Sequence, residues 1–369
     1  MKAKCKALFA APLVVLSLTC AHAQQPNPSE FINITNPSQY QTTGLANIGD
    51  ITGNGNGVGL GYGTVDFDYD SSGNLFYFAG DNQDYYEDDQ IDEITAASGY
   101  TTFEPVASFS APTYGAFLTI AGTTAYYGDG SYIYASSTTA ISPTQTPNTI
   151  SAMNGNYDLA FSGTTPFVSA NVTGTSNYVY TLNPGTGSYQ EILNTDGDYS
   201  GPIAFDSAGD LIYGTSGAAV IDGGTDVNIY VFSKASVNGA IASGTALTLA
   251  NASTIITGSG GNSNFAVIGN ELYDAFDPFG VRYSTLMSYN LSSPDPSGVS
   301  IARVTNPSYN FGGIAASNGQ LTVAVTDAGT FTDFIKVTPV PEPGAASLGV
   351  TGGFIAALVN WLRRKTRAG

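Results

Sequence analysis

The sequence predicts an all-β chain, a six-bladed β-propeller flanked by a signal peptide and a C-terminal transmembrane helix. Three observations predict the propeller. An alternating strand, a short turn and a second apolar strand recur six times, about 49 residues apart, the length of a four-stranded blade. The body is rich in Gly, Ser, Thr, Asn and Tyr and poor in Lys, Glu and Leu, which opposes helix and favours short strands with tight turns. Aromatic and β-branched residues recur throughout, so the chain is able to bury a core.

The N-terminus comes first. Lys2, Lys4 and Lys6 precede an apolar run from Ala7 to Thr19, and Ala21-His22-Ala23 is a small-x-small cleavage site. This is the pattern of a secretory signal peptide over residues 1–23, with a mature chain from Gln24. Acylation at Cys20 is the alternative, although Ser17-Leu18-Thr19 fits that signal poorly.

The C-terminal segment, residues 339–369, has three parts. Val340-Pro341-Glu342-Pro343 is followed by an uncharged apolar stretch from Gly344 to Leu362. Arg363, Arg364, Lys365 and Arg367 then close the chain. The apolar part is long enough to cross about 30 Å of hydrocarbon as a helix. The basic tail would stay cytoplasmic and everything before it would lie outside. A plain C-terminal anchor is the simpler reading. The order of motif, span and basic tail, however, resembles the PEP-CTERM sorting signal. That resemblance covers only about the last thirty residues. It implies processing by an exosortase, a membrane cysteine peptidase of bacteria that make exopolysaccharide. It further implies a transient inner-membrane anchor and delivery to the envelope, outer surface or extracellular matrix of a Gram-negative bacterium. It implies nothing about the domain before it.

That domain, residues 24–338, is strongly acidic. Lys234, Arg282, Arg303 and Lys336 face twenty-eight acidic residues, a balance of −24. Nucleic acid and anionic membrane are poor partners for such a surface, and cations suit it better. Both cysteines, Cys5 and Cys20, and the only histidine, His22, lie in the signal peptide. The mature domain thus excludes disulfides, a zinc site of the usual N/S type, and Ser-His-Asp or Cys-His nucleophile pairs. Asp, Glu and Tyr remain as acid-base groups.

Within the domain, Asp70-Ser71-Ser72-Gly73-Asn74-Leu75-Phe76-Tyr77 matches Asp206-Ser207-Ala208-Gly209-Asp210-Leu211-Ile212-Tyr213. Weaker copies turn at Gly122, Gly163, Gly269-Asn270 and Asn318-Gly319. Their second strands open at residues 75, 125, 166, 211, 272 and 321. After Leu321 only two strands fit before Pro339, so a strand drawn from Glu30 to Ile51 is expected to complete the last blade and close the ring. A seventh, degenerate blade within residues 36–63 is the main variant, and a β-sandwich or β-solenoid is the other architecture. The hairpins resemble those of NHL and gluconolactonase-like propellers. The gluconolactonase resemblance implies a divalent metal in the central channel, but no run here fixes its ligands.

Carboxylates are the remaining candidates. Val65, Phe67 and Tyr69 alternate with Asp66, Asp68 and Asp70, so the three acids share a strand face. Such a cluster suits Ca²⁺, a hard cation preferring oxygen. It lacks the Gly and final Glu of an EF-hand loop, and a solvated face with a turn-capping Asp is the competing reading. Residues 81–93, with Asp84, Glu87, Asp88 and Asp89, are the densest acidic stretch and read as a loop, either a weak calcium site or simply solvated. Tyr85, Tyr86, Tyr126, Tyr127, Tyr132 and Tyr134 lie near turns, where packing between blades outweighs sugar stacking. The functional expectation is an exported binding or structural module, calcium-stabilised if those clusters hold the ion, with exopolysaccharide or another envelope component as partner. The alternative is a carboxylate- or metal-dependent hydrolase or lyase acting on polysaccharide. Several Asp converging from different blades would favour the enzyme, and ring-facing Gly, Ala and Ser the module.

Overall fold

The computed structural model describes residues 25–47, 66–80, 88–113, 117–139, 148–172, 176–195, 200–215, 228–258, 262–276, 283–327 and 331–340. The signal peptide, the apolar span and the basic tail lie outside these residues, as do Pro341, Glu342 and Pro343. Among the described residues no helix is long and apolar enough to cross a membrane.

The chain enters through a helical turn, Pro28–Phe31, and two short strands, β1 (Ile32–Ile34) and β2 (Tyr40–Asn47). Six sheets follow. Blade one is β3 (Phe67–Tyr69), β4 (Leu75–Gly80), β5 (Asp88–Ile94) and β6 (Phe103–Thr113). Blade two is β7 (Phe117–Ala121), β8 (Thr124–Gly128), β9 (Tyr132–Ser137) and β10 (Asn148–Ala152). Blade three is β11 (Asp158–Ser162), β12 (Thr165–Ala170), β13 (Tyr178–Leu182) and β14 (Tyr189–Asn194). Blade four is β15 (Ile203–Phe205), β16 (Leu211–Gly214), β17 (Asn228–Phe232) and β19 (Thr254–Thr257). Between its last two strands lie a helix, Lys234–Ser243, and β18 (Leu247–Thr248), which pairs in parallel with β14 of blade three. Blade five is β20 (Asn262–Ile268), β21 (Glu271–Phe276), β22 (Thr285–Asn290) and β23 (Val299–Val304), extended by β1. Blade six is β24 (Tyr309–Ser317), β25 (Gln320–Asp327) and β26 (Phe331–Pro339), completed by β2.

The ring therefore closes as the sequence predicts, and with six blades. β2 pairs antiparallel with β26, Tyr40 opposite Pro339 and Asn47 opposite Asp333. The first strands of consecutive blades touch in an unbroken cycle around the axis. Six hydrophobic clusters fill the six spaces between blades. Between blades six and one, Phe67 meets Phe334 edge-on at 4.9 Å beside Leu45, Tyr77 and Ile94. Each fully buried ring of this kind contributes about 1.5–3 kcal/mol relative to exposure.

The matched hairpins share their hydrogen bonds. The Asp70 side chain accepts from the backbone N–H of Ser72 and Asn74, both at 2.8 Å. Asp206 accepts from Ala208 and Asp210 at 2.9 and 2.8 Å. Gly73 and Gly209 sit at φ of 83° and 85°, a conformation that a Cβ would strain. The side chains of Asn74 and Asp210 then accept from the N–H of Ala96 and Lys234, just beyond the third strand of each blade.

One expectation needs correction. Residues 88–93 are not loop, because β5 runs through them as the third strand of blade one. The acidic count hides Ile91 and Ile94, both fully buried on opposite faces of the strand, in two different interblade cores. Asp92 is buried as well and accepts a hydrogen bond from the Tyr77 hydroxyl at 3.3 Å. The all-β architecture carries one insertion in blade four. The helix capped by Ser233 and Gly244 lengthens blade four, which explains the long gap between the hairpins at residues 211 and 272.

Candidate functional site in the axial channel

The innermost strand of every blade leaves one edge facing the axis, with backbone N–H groups that lack a strand partner. Blades one and three cover that edge with carboxylates. Phe67 and Tyr69 point into the interblade core, so Asp66 and Asp68 point into the channel. Asp66 Oδ2 accepts from the Leu118 N–H of blade two at 2.6 Å, and Asp68 Oδ2 accepts from Ile120 at 2.7 Å. Asp158 Oδ2 repeats the device, accepting from Ile203 of blade four at 2.7 Å. The other oxygen of each accepts from the following residue's N–H: Phe67 at 3.0 Å, Tyr69 at 2.8 Å and Leu159 at 2.7 Å. Asn264 of blade five donates to Asp66 Oδ1 at 2.9 Å, linking blades one and five.

These side chains line a cavity of about 240 Å³, whose remaining wall is mostly apolar, with small residues such as Ala160, Ala204 and Ala266 beside larger ones such as Phe205, Phe265 and Ile314. Burial pushes Asp68 up to about 6 and Asp158 up to about 7, against the lowering effect of their backbone hydrogen bonds. Asp66 is raised well above the carboxylate range, first by burial and then by the charge of Asp158. Asp274, on β21, is fully buried, and neither carboxylate oxygen has a hydrogen-bond partner. Burial alone raises it well above the usual range. Tyr157 is also raised, by burial and then by the charges of Asp158, Asp66 and Asp274.

The sequence candidates separate. Asp66 and Asp68 meet in the channel, but Asp70 is held in the hairpin turn. Asp84 and Glu87 lie outside the described residues, whereas Asp88 and Asp89 belong to β5. Among the described residues no three acidic side chains come together in a way that would hold a metal ion. The solvated-face alternative does not hold either, since Asp66 is 5% exposed and both channel acids bond the next blade. Sequence reasoning missed Asp158, Asn264 and Asp274. Asp158 was within reach, because it opens an inner strand as Asp66 does, and Ala160 two residues on shares its channel face. Of the tyrosines, Tyr127 is buried and stacks on Tyr134 at 5.3 Å, whereas Tyr132 is half-exposed. Tyr85 and Tyr86 lie outside the described residues.

No family model matches the chain, and no curated protein matches it in sequence. Among solved structures, the PQQ domain of pyranose dehydrogenase from Coprinopsis cinerea is similar over 84% of this chain and 98% of that one, at 11% identity and a TM-score of 0.52. The WD40 domain of Pan2 from Neurospora crassa covers 84% of this chain and 98% of its own, at 8% identity and a TM-score of 0.49. A luciferin-regenerating enzyme covers 77% and 94%, at 11% identity and a TM-score of 0.48. At such identities the likeness shows a β-propeller and nothing further.

Proposed function

We propose that this β-propeller is a non-catalytic binding or structural module, exported by its N-terminal segment and sorted to the envelope or exopolysaccharide matrix by its PEP-CTERM-like tail. The observation that carries the module reading is what the channel carboxylates touch. Both oxygens of Asp66, Asp68 and Asp158 accept backbone N–H groups, one from the next blade each time. Their first role is to hold the inner ring together. Support for export comes from the two terminal patterns.

Mass spectrometry of the protein from fractionated cells tests the placement. The expected result is a mature N-terminus at Gln24 and loss of the segment after the Pro-Glu-Pro box. Replacing Pro341 and Glu342 by Ala should trap the chain in the inner membrane. Full-length cytosolic protein with both ends intact would overturn the reading. Melting in EGTA against excess Ca²⁺ tests calcium stabilisation, and equal midpoints would remove calcium from the account.

One observation favours the second reading, a carboxylate-dependent hydrolase or lyase acting on polysaccharide. Asp66, Asp68 and Asp158 converge from two blades on one cavity, and two of them are pushed close to neutrality. An Asp158→Asn variant that melts normally yet loses polysaccharide-cleaving activity would establish that reading in place of the first.

A further inference from the structure

The strand pair that closes the ring has two unlike ends. At one end the Val340 N–H donates to the Gln39 carbonyl at 2.7 Å, and Tyr40 stands opposite Pro339. At the other end Asn47 of β2 stands opposite Asp333 of β26, and Asn47 Nδ2 donates to Asp333 Oδ1. Asp333 is fully buried, and its second oxygen, Oδ2, has no hydrogen-bond partner. A carboxyl group thus sits, half satisfied, in the seam where the N-terminal strand meets the last one.

The groups around it are mostly apolar. Asp333 shares a strand face with Ile335 and Val337, which belong to the cluster between blades five and six. β25 sets Val325 opposite Asp333, and β24 sets Phe311 opposite Val325, both in the same cluster. Asp327 lies two residues farther along β25. The phenols of the cluster and its border are Tyr40, Tyr273, Tyr283 and Tyr309. Lys336 belongs to the other face of β26, with its ammonium 5.0 Å over the Tyr100 ring of blade one. Arg303 of blade five lies 5.0 Å over the Tyr283 ring. Burial raises Asp333 to about 7, the Asn47 bond opposes that rise, and the charge of Glu30 in the entrance turn adds to it. A neutral carboxyl tolerates such a place. A carboxylate there gives up its hydration for a single side-chain donor, and separation of the strand ends would return it to water.

We propose that the ring has a pH-sensitive clasp: β2 stays zipped to β26 while Asp333 holds its proton, and frays from the Asn47 end when Asp333 ionises. A carboxyl in water ionises near about 3.9, so the closed clasp holds a proton that the frayed one releases. Closure is firmest in acid and loosens as pH rises toward about 7. Above that value both forms are ionised and the loosening levels off. The end formed by Gln39, Tyr40, Pro339 and Val340 contains no acid, so fraying starts at one end only.

Hydrogen exchange of the purified full chain, read by mass spectrometry and corrected for the intrinsic rate at each pH, tests the clasp. The peptide spanning residues 40–47 is compared with residues 228–232, a third strand whose ladders contain no acid. Protection of the first relative to the second should fall about tenfold or more between pH 5 and pH 8. Asp333→Asn should abolish that fall. Asp333→Val, which matches the facing Val325, should abolish it too and leave β2 better protected than in the wild type at pH 8. One folded variant is enough, since both remove the ionisation. A wild-type ratio that stays level or rises with pH would overturn the proposal, as would a fall that persists in either folded variant.

Discussion

The axial channel and the cleft of about 430 Å³ between the turns of blade three and the inserted helix are two concave regions built on opposite principles. The channel concentrates charge but uses it internally, since each carboxylate there holds the backbone of the next blade. The cleft is lined without any acidic or basic residue, by hydroxyls and amides such as Thr165, Thr181, Asn183 and Gln190. The difference teaches that clustered acids are a poor guide to ligand chemistry in this molecule. A carboxylate facing an open strand edge already has a structural partner.

The largest expected effect tests the channel side of this contrast. Asp158→Ala removes the acceptor for the Ile203 and Leu159 N–H groups. Leaving two buried donors unpaired should cost about 2–4 kcal/mol in urea unfolding, and Asp158→Asn, which keeps one acceptor, about half as much. Wild-type stability in both variants would break the contrast.

Acidity should produce the next largest effect. Asp68 at about 6 and Asp158 at about 7 lie above the unfolded value of about 3.9, and burial is the main cause. The native state therefore holds protons that the unfolded chain releases. Stability is greatest below pH 4 for these groups and is lost as pH rises through roughly 4–7. The melting midpoint should be about 5 °C higher at pH 5 than at pH 8. Asp158→Asn should flatten that slope, as should Asp274→Leu, which removes a buried carboxyl without partners. A midpoint that rises with pH would contradict this account.

The matched turns give a smaller effect. In each turn one carboxylate oxygen accepts two backbone N–H groups, so Asp70→Ala and Asp206→Ala should each cost about 1 kcal/mol, with Asp70→Ala only slightly worse for losing the Asn74 amide at 3.1 Å. A large inequality between them would show that the repeat is one of sequence and not of energetics. Smallest of all, Tyr189→Ala should change stability by less than about 0.5 kcal/mol, the range of surface substitutions. A larger loss would mark the ring as part of the core and remove the reason for its exposure.

The fold was more legible in the sequence than the site, for a physical reason. A hairpin is a local object. Its turn glycine and the alternation on either side lie within a dozen residues, and β4, β8, β12, β16, β21 and β25 begin within one residue of the openings read from the sequence. Ring closure by β2 also followed, since a blade short of a strand must borrow one. Channel partners are not local. Asp66 and Asn264 are 198 residues apart, and Asp158 reaches Ile203 across 45. Asp158 opens an inner strand as Asp66 does, but its own neighbourhood does not say which blade's backbone it meets. At 88–93 charge obscured two isoleucines buried on opposite faces, so a strand was read as a loop. The inserted helix escaped notice because only Val237 and Ala240 are buried along its ten residues.

The pairing of β26 between β25 and β2 has a mechanical consequence. Val340, the residue that leads into the tail, donates its N–H to the Gln39 carbonyl at 2.7 Å. A pull on the tail would therefore be resisted by two hydrogen-bonded ladders at once, one on each side of the strand. An edge strand would unzip bond by bond under such a pull. This one must shear against both neighbours together, so the ring is best secured at the point where the chain leaves it.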